Sequence, residues 1–146
     1  LWERFAALDH IPERLVVLGG GPIGCELAQA FALLGASVTR VEVAPRLLLR
    51  EDDDVSAAAL ASQQAVGVDV RLNSRAVRCE GGQGDRRLVI AAADGSETAL
   101  PYDALLVAVG RQARLTGYGL EALGIDTDRT VATDDYLATL YPNIYA

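Results

Sequence analysis

The chain has 146 residues, 51% of them hydrophobic, with a formal net charge of −7 and a pI near 4.6. That content supports one domain with its own core, and the acidity argues against nucleic acid and against anionic membrane surfaces as partners. All 13 basic residues are arginine and His10 is the single histidine, so a lysine-dependent phosphate loop, a lysine Schiff base and a multi-histidine metal site are all excluded.

In chain order, Leu1 to His10 carries a helical pattern, with Trp2, Phe5, Ala6 and Leu8 on one side, and Pro12 breaks it. The apolar run Leu15–Leu18 predicts a strand. The glycine cluster Gly19-Gly20-Gly21-Pro22-Ile23-Gly24 predicts a tight turn. An apolar-periodic helix then spans Cys25–Leu34 and stops at Gly35, and a strand over Ser37–Val41 finishes at Glu42. After Ala44-Pro45 and a leucine-rich link over Arg46–Arg50, the acids Glu51 to Asp54 open a helix over Val55–Val66. Acids in a first helical turn complement the dipole, and three adjacent aspartates lack the alternate spacing of a calcium loop. Gly67 ends that helix.

Val68–Leu72 alternates and predicts a strand. Three further strands are expected over Arg75–Glu80, Arg87–Ala92 and Glu97–Pro101, separated by the turn residues Gly81-Gly82-Gln83-Gly84 and Asp94-Gly95. This is a β-meander where a plain doubly wound domain has a helix. Ala104–Val109 predicts a fully buried strand ended by Gly110-Arg111. A glycine-punctuated loop, a helical turn near Gly119–Leu123 and the closing segments Val131–Asp134 and Thr139–Ala146 follow. The expected fold class is α/β: a Rossmann-like parallel sheet with a three-stranded antiparallel β-meander crossover.

Gly19, Gly21 and Gly24 fit G-x-G-x-x-G between a strand and a helix, with an acid at the tip of the next strand. Gly19 permits the sharp exit from the strand, Gly21 lets a pyrophosphate approach the backbone, and Gly24 lets the helix pack on the strand. The helix start offers N–H groups and a positive dipole end to phosphate. Glu42 is suited to accept both ribose hydroxyls and to repel a 2′-phosphate, so NAD(H) is expected and NADP(H) is disfavoured, with Arg40 and Arg46 close enough in sequence to soften that preference.

The ordered motifs LVVLGGGPIGCELA (15–28), LGASVTRVE (34–42), PRLL (45–48), LLVAVGR (105–111), LGI (123–125) and PNIYA (142–146) resemble the NAD(P)-binding domain of the FAD-dependent pyridine nucleotide–disulfide oxidoreductases. The likeness covers essentially the whole chain and includes the meander. It implies a domain inserted between two parts of an FAD domain, with the redox cysteine pair, a catalytic His–Glu pair and the dimer contacts lying elsewhere. On this view residues 1–12 lead in from the FAD domain, 13–135 form the NAD(H)-binding domain and 136–146 return toward the FAD domain. The start at Leu1 without a methionine suggests a piece of a longer protein, the unpaired cysteines suggest a reducing, cytoplasmic setting, and the resemblance implies a homodimeric flavoprotein. No signal-peptide or transmembrane run is visible. Hydride would pass from the nicotinamide to FAD, and then to lipoamide, a glutathione-type disulfide, mercuric ion or another acceptor.

The resemblance also assigns residues. Gly19, Gly20, Gly21, Pro22, Ile23 and Gly24 would hold the pyrophosphate; Pro22 stands where many relatives have a tyrosine over the nicotinamide pocket. Glu26 would approach the nicotinamide and flavin, the backbone at Ala76 would lie beside the adenine, and Gly110 would let the cofactor pass. The chain itself carries no catalytic residue on this reading. Cys25 and Cys79 form no C-x-x-C pair and are expected to be buried, inert thiols. Two alternatives are a non-enzymatic NADH-sensing module and FAD bound on the same glycines.

Overall fold

The computed structural model describes residues 8–146, so most of the helix expected over 1–10 lies outside the described residues. Two units are distinguished, one running to Gly110 and one from Arg111 to Ala146.

In the first unit, strands β1 (Arg14–Leu18), β2 (Ser37–Val41), β3 (Asp69–Arg71) and β7 (Ala104–Val107) form a four-stranded sheet in the order β3-β2-β1-β7. Every pairing in it is parallel. Helices α1 (Pro22–Leu33) and α2 (Asp53–Ala65) connect β1 to β2 and β2 to β3. Strands β4 (Ser74–Glu80), β5 (Arg87–Ala92) and β6 (Glu97–Pro101) form a separate antiparallel sheet between β3 and β7. The architecture is therefore the α/β, Rossmann-like sheet with a meander crossover that the sequence predicts.

The parallel sheet is covered on both faces. Leu15, Val17, Val38 and Leu106 pack with Ala28 and Phe31 of α1 and with Val68. Val16 and Val41 turn the other way and pack with Leu88, Ile90, Leu100 and Tyr102 of the meander and its exit. A strand buried on both faces cannot alternate apolar and polar residues, which is why β1 reads as a continuous apolar run. Each fully buried aliphatic, such as Val17 at 0% exposure, contributes about 1.5–3 kcal/mol.

Element ends follow local chemistry. Helix α1 starts at Pro22, three residues before the expected Cys25. Proline carries no apolar-periodic signal, but its fixed φ and missing N–H suit a first helical position. The helix closes at Gly35, whose φ is +98°, while the Ala36 N–H donates back to the Phe31 carbonyl at 3.0 Å. Helix α2 starts at Asp53, so Asp53 and Asp54 lie in its first turn.

The last strand departs from expectation. β7 ends at Val107, and only Leu106 in it is buried; Val107 is 49% and Val109 72% exposed. The strand expected to be buried over Ala104–Val109 is instead an edge strand over Ala104–Val107, paired on one side by β1.

The second unit is built on turns. A 3-10 turn, Glu121–Leu123, ends at Gly124 in the left-handed region, and the Ile125 N–H returns to the Leu120 carbonyl at 3.1 Å. Near the end, Asp134 Oδ1 accepts the N–H groups of Tyr136 and Ala138, both at 2.9 Å, and Ala138 bridges antiparallel to Tyr145. Among the described residues no helix is long and apolar enough to cross a membrane.

Candidate functional site

Parallel pairing sets the site. Leu18 lies opposite both Val41 and Val107, so β1, β2 and β7 finish at one end of the sheet. The chain leaves β1 toward β2 on one side, while β7 pairs on the other. A crevice outside the carboxyl ends of strands at such a reversal is where open α/β sheets take ligands.

The glycine turn is packed to close tolerance. Gly19 has φ +112°, and a Cβ there would collide with the Ala108 carbonyl oxygen. A Cβ on Gly24 would stand 2.5 Å from the Gly19 carbonyl oxygen and 3.3 Å from Arg40 Nη2. At Gly21 a Cβ would meet nothing within 4 Å, so that backbone faces open space. Gly21 is also the N-terminal cap of α1, with no side-chain cap bond, and its carbonyl accepts the Cys25 N–H at 3.0 Å.

Glu42 follows the last residue of β2, and its carboxylate folds back on the backbone. Oε2 accepts the Gly20 N–H, and Oε1 accepts the Ala44 N–H at 2.6 Å. A Cβ on Gly20 would stand 2.5 Å from Oε2, which gives the middle glycine of the cluster a role that the fingerprint does not assign it. Each carboxylate oxygen keeps a second lone pair for a further donor. The Glu42 N–H donates to the Arg71 carbonyl at 2.9 Å, and its carbonyl accepts the Ser74 N–H at 3.0 Å. These bonds tie the acid to the start of the meander and bring β4 beside it.

The outcome is a cleft of about 300 Å³ lined by Leu18, Gly19, Val41, Glu42, Val43, Ser74, Arg75, Ala76 and Val109. Of the residues singled out from the sequence, Gly19, Glu42 and Ala76 line it together. Gly20 sits behind Glu42. Gly21, Pro22, Ile23 and Gly24 form the start of α1. Gly110, at φ +133°, follows Val109 of the lining. Glu26 is exposed on α1 and does not line the cleft.

Arg40 was missed. Its side chain is 0% exposed. Nε donates to the Gly19 carbonyl at 3.0 Å and Nη2 to the Gly21 carbonyl at 3.2 Å, while Nη1 approaches Cys25 Sγ at 3.0 Å and Gln63 Oε1 at 3.4 Å. Gln63, itself buried, also donates from Nε2 to the Cys25 carbonyl at 3.0 Å. Arg40 is therefore committed beneath the loop and is not free to soften repulsion of a 2′-phosphate. Arg46 is turned to Asp53 and the Leu49 carbonyl. The signal was present in the strand: Arg40 shares its face with the helix-packed Val38.

The thiols also differ from expectation. Cys25 is half-buried against the Arg40 guanidinium rather than among apolar groups, and Cys79 is exposed. Cys79 lies on β4, an edge strand that is exposed along almost its whole length. The Tyr102 phenol is held above the usual tyrosine range, chiefly by Cys79, with burial adding to it.

Residues 3–146 match the family described as pyridine nucleotide-disulphide oxidoreductase. The chain belongs to this family. It is 35% identical over 149 residues to the dihydrolipoyl dehydrogenase of Rhizobium etli, covering 100% of this chain and 31% of that protein. The mercuric reductase of Streptomyces lividans is 36% identical over 95% of this chain and 29% of its own. Among solved structures, the HOCl-induced flavoprotein disulfide reductase RclA from Escherichia coli, as its Cu(II) complex, superposes with a TM-score of 0.83 at 33% identity, covering 97% of this chain and 32% of that one. The chain thus spans about a third of the length of the oxidoreductases it resembles.

Proposed function

We propose that this chain is the NAD(H)-binding domain of an FAD-dependent disulfide-type oxidoreductase, with FAD held by a domain outside it. The observation that carries this reading is the meeting of Gly19, Glu42 and Ala76 around one cleft, with the open backbone of Gly21 two residues beyond Gly19 at the start of α1. The residues fit the cofactor. Gly19 to Gly24 and the first turn of α1 would receive the pyrophosphate, Glu42 the ribose hydroxyls, and the backbone near Ala76 the adenine. Glu26 and Gly110 would border the path toward the nicotinamide, and Pro22 and Ile23 would shape its rim. When bound, NADH supplies hydride and the flavin receives it; the protein binds and orients.

Glu42 favours NAD(H) over NADP(H). A carboxylate about 4 Å from a 2′-phosphate costs on the order of 1–4 kcal/mol. Arg40, the arginine nearest in sequence, is spent on carbonyls and offers no relief. The link segments 1–12 and 136–146 would join the 13–135 domain to the flavin domain of the same chain, in a homodimer. Membership of an oxidoreductase family supports the enzyme reading, and no observation favours a non-enzymatic NADH sensor.

Calorimetric titration of the chain with NADH and NADPH tests the proposal. NADH is expected to bind at least about tenfold more tightly. Absence of NADH binding, or tighter NADPH binding, would overturn it.

A further inference from the structure

We propose that Arg40 is a positioning residue for the anionic centre of the ligand, supplying from beneath the glycine loop a positive charge that the loop's own amides do not fully provide. The inference rests on the loop being a pyrophosphate site.

A loop of this kind grips phosphate through backbone N–H groups at a helix start. Here two of those groups are missing from the ligand side. The Gly20 N–H is engaged by Glu42, and Pro22 has none. The ligand also brings negative charge toward Glu42, which no described cation pairs with. An anion at this loop needs compensation from elsewhere.

Arg40 is placed to give it. Its guanidinium is wholly buried and touches only neutral acceptors: the Gly19 and Gly21 carbonyls, Cys25 Sγ and Gln63 Oε1. Among the described residues no carboxylate forms an ion pair with it. Burying a cation is costly unless a charge compensates it. Carbonyl acceptors satisfy its hydrogen bonds but leave its net charge uncancelled. That charge lies directly under the loop that faces the open space at Gly21, out of reach of salt screening. A phosphate anion bound there would supply the missing counter-charge, and Arg40 in turn would hold the loop in its receiving shape.

A merely structural strut would act on every ligand part alike; a buried charge acts on phosphate alone. The test compares ADP with adenosine by calorimetry on the 146-residue chain. Arg40→Met should weaken ADP about tenfold and leave adenosine within about twofold. Gln63→Glu keeps the guanidinium and its carbonyl bonds but sets a carboxylate against it. It should weaken ADP by a similar factor, and it serves where Arg40→Met does not fold. Parallel loss of ADP and adenosine, or wild-type ADP affinity in Gln63→Glu, would overturn the inference while leaving the cofactor reading intact. Failure of the unmodified chain to bind both NADH and ADP would remove both.

Discussion

The two ends of the parallel sheet handle charge in opposite ways. At the end where β1 and β7 begin, Arg14 and Asp103 satisfy each other. The Arg14 N–H and Nε reach Asp103 Oδ2 at 2.8 and 3.2 Å, Nη2 reaches Oδ1 at 2.7 Å, and the Asp103 N–H returns to the Arg14 carbonyl at 2.9 Å. The hydrogen bonds from Arg14 hold the Asp103 carboxyl below its usual range, and Asp103 raises the Arg14 guanidinium. At the end where the strands finish, the charges are kept apart. Glu42 is held by amides and Arg40 by carbonyls, with no ion pair between them. A closed pair serves the fold. Charges held without a paired counter-charge retain their capacity for something that arrives.

The largest effect is expected where the glycine turn is most crowded. Gly19→Ala meets both a positive φ and the Ala108 carbonyl, and should cost about 3 kcal/mol or more, read by urea unfolding, with NADH binding lost in the folded fraction. An intermediate effect belongs to Glu42→Gln, which removes the charge but keeps the shape. The NADPH-to-NADH affinity ratio should rise about tenfold, and an unchanged ratio would place the selectivity elsewhere.

The smallest effect is at the closed end. Asp103 has a depressed pKa when folded, so its stabilisation is present above the unfolded value of about 3.9 and is lost as pH falls through the lower folded one. Asp103→Asn should flatten the dependence of Tm on pH in that acid window and leave NADH affinity at pH 7 unchanged. A loss of NADH affinity in this variant would erase the contrast between the two ends.

Much of the fold was legible because local signals agreed. Glycine and aspartate turns bounded the meander strands to within a residue: β5 and β6 lie where the sequence puts them, and β4 starts one residue earlier. What was not legible needed the third dimension. An apolar run such as Leu105–Val109 looks the same at the centre of a sheet and at its edge, so the exposure of Val107 and Val109 could not be read. Binary patterning counts an arginine as surface, and so passes over Arg40. The irregularity between Ala76 and Arg78 breaks face alternation along β4, and no residue there announces it. Of the site, the glycines and Glu42 were readable from spacing. The bond that turns Glu42 onto Gly20 was not, because it joins positions 22 apart in sequence.

That bond has a consequence for how such a domain changes over time. The Gly20 amide and the Glu42 carboxylate are one fastening, and Gly20 has no room for a side chain while Glu42 stands there. On the proposed reading, preference for one dinucleotide over the other and the shape of the glycine turn therefore cannot drift separately. A lineage that replaces Glu42 with a residue welcoming a 2′-phosphate also releases the Gly20 amide and opens space above it. The switch is expected to require a second substitution in the turn, and position 20 is the place to look for it.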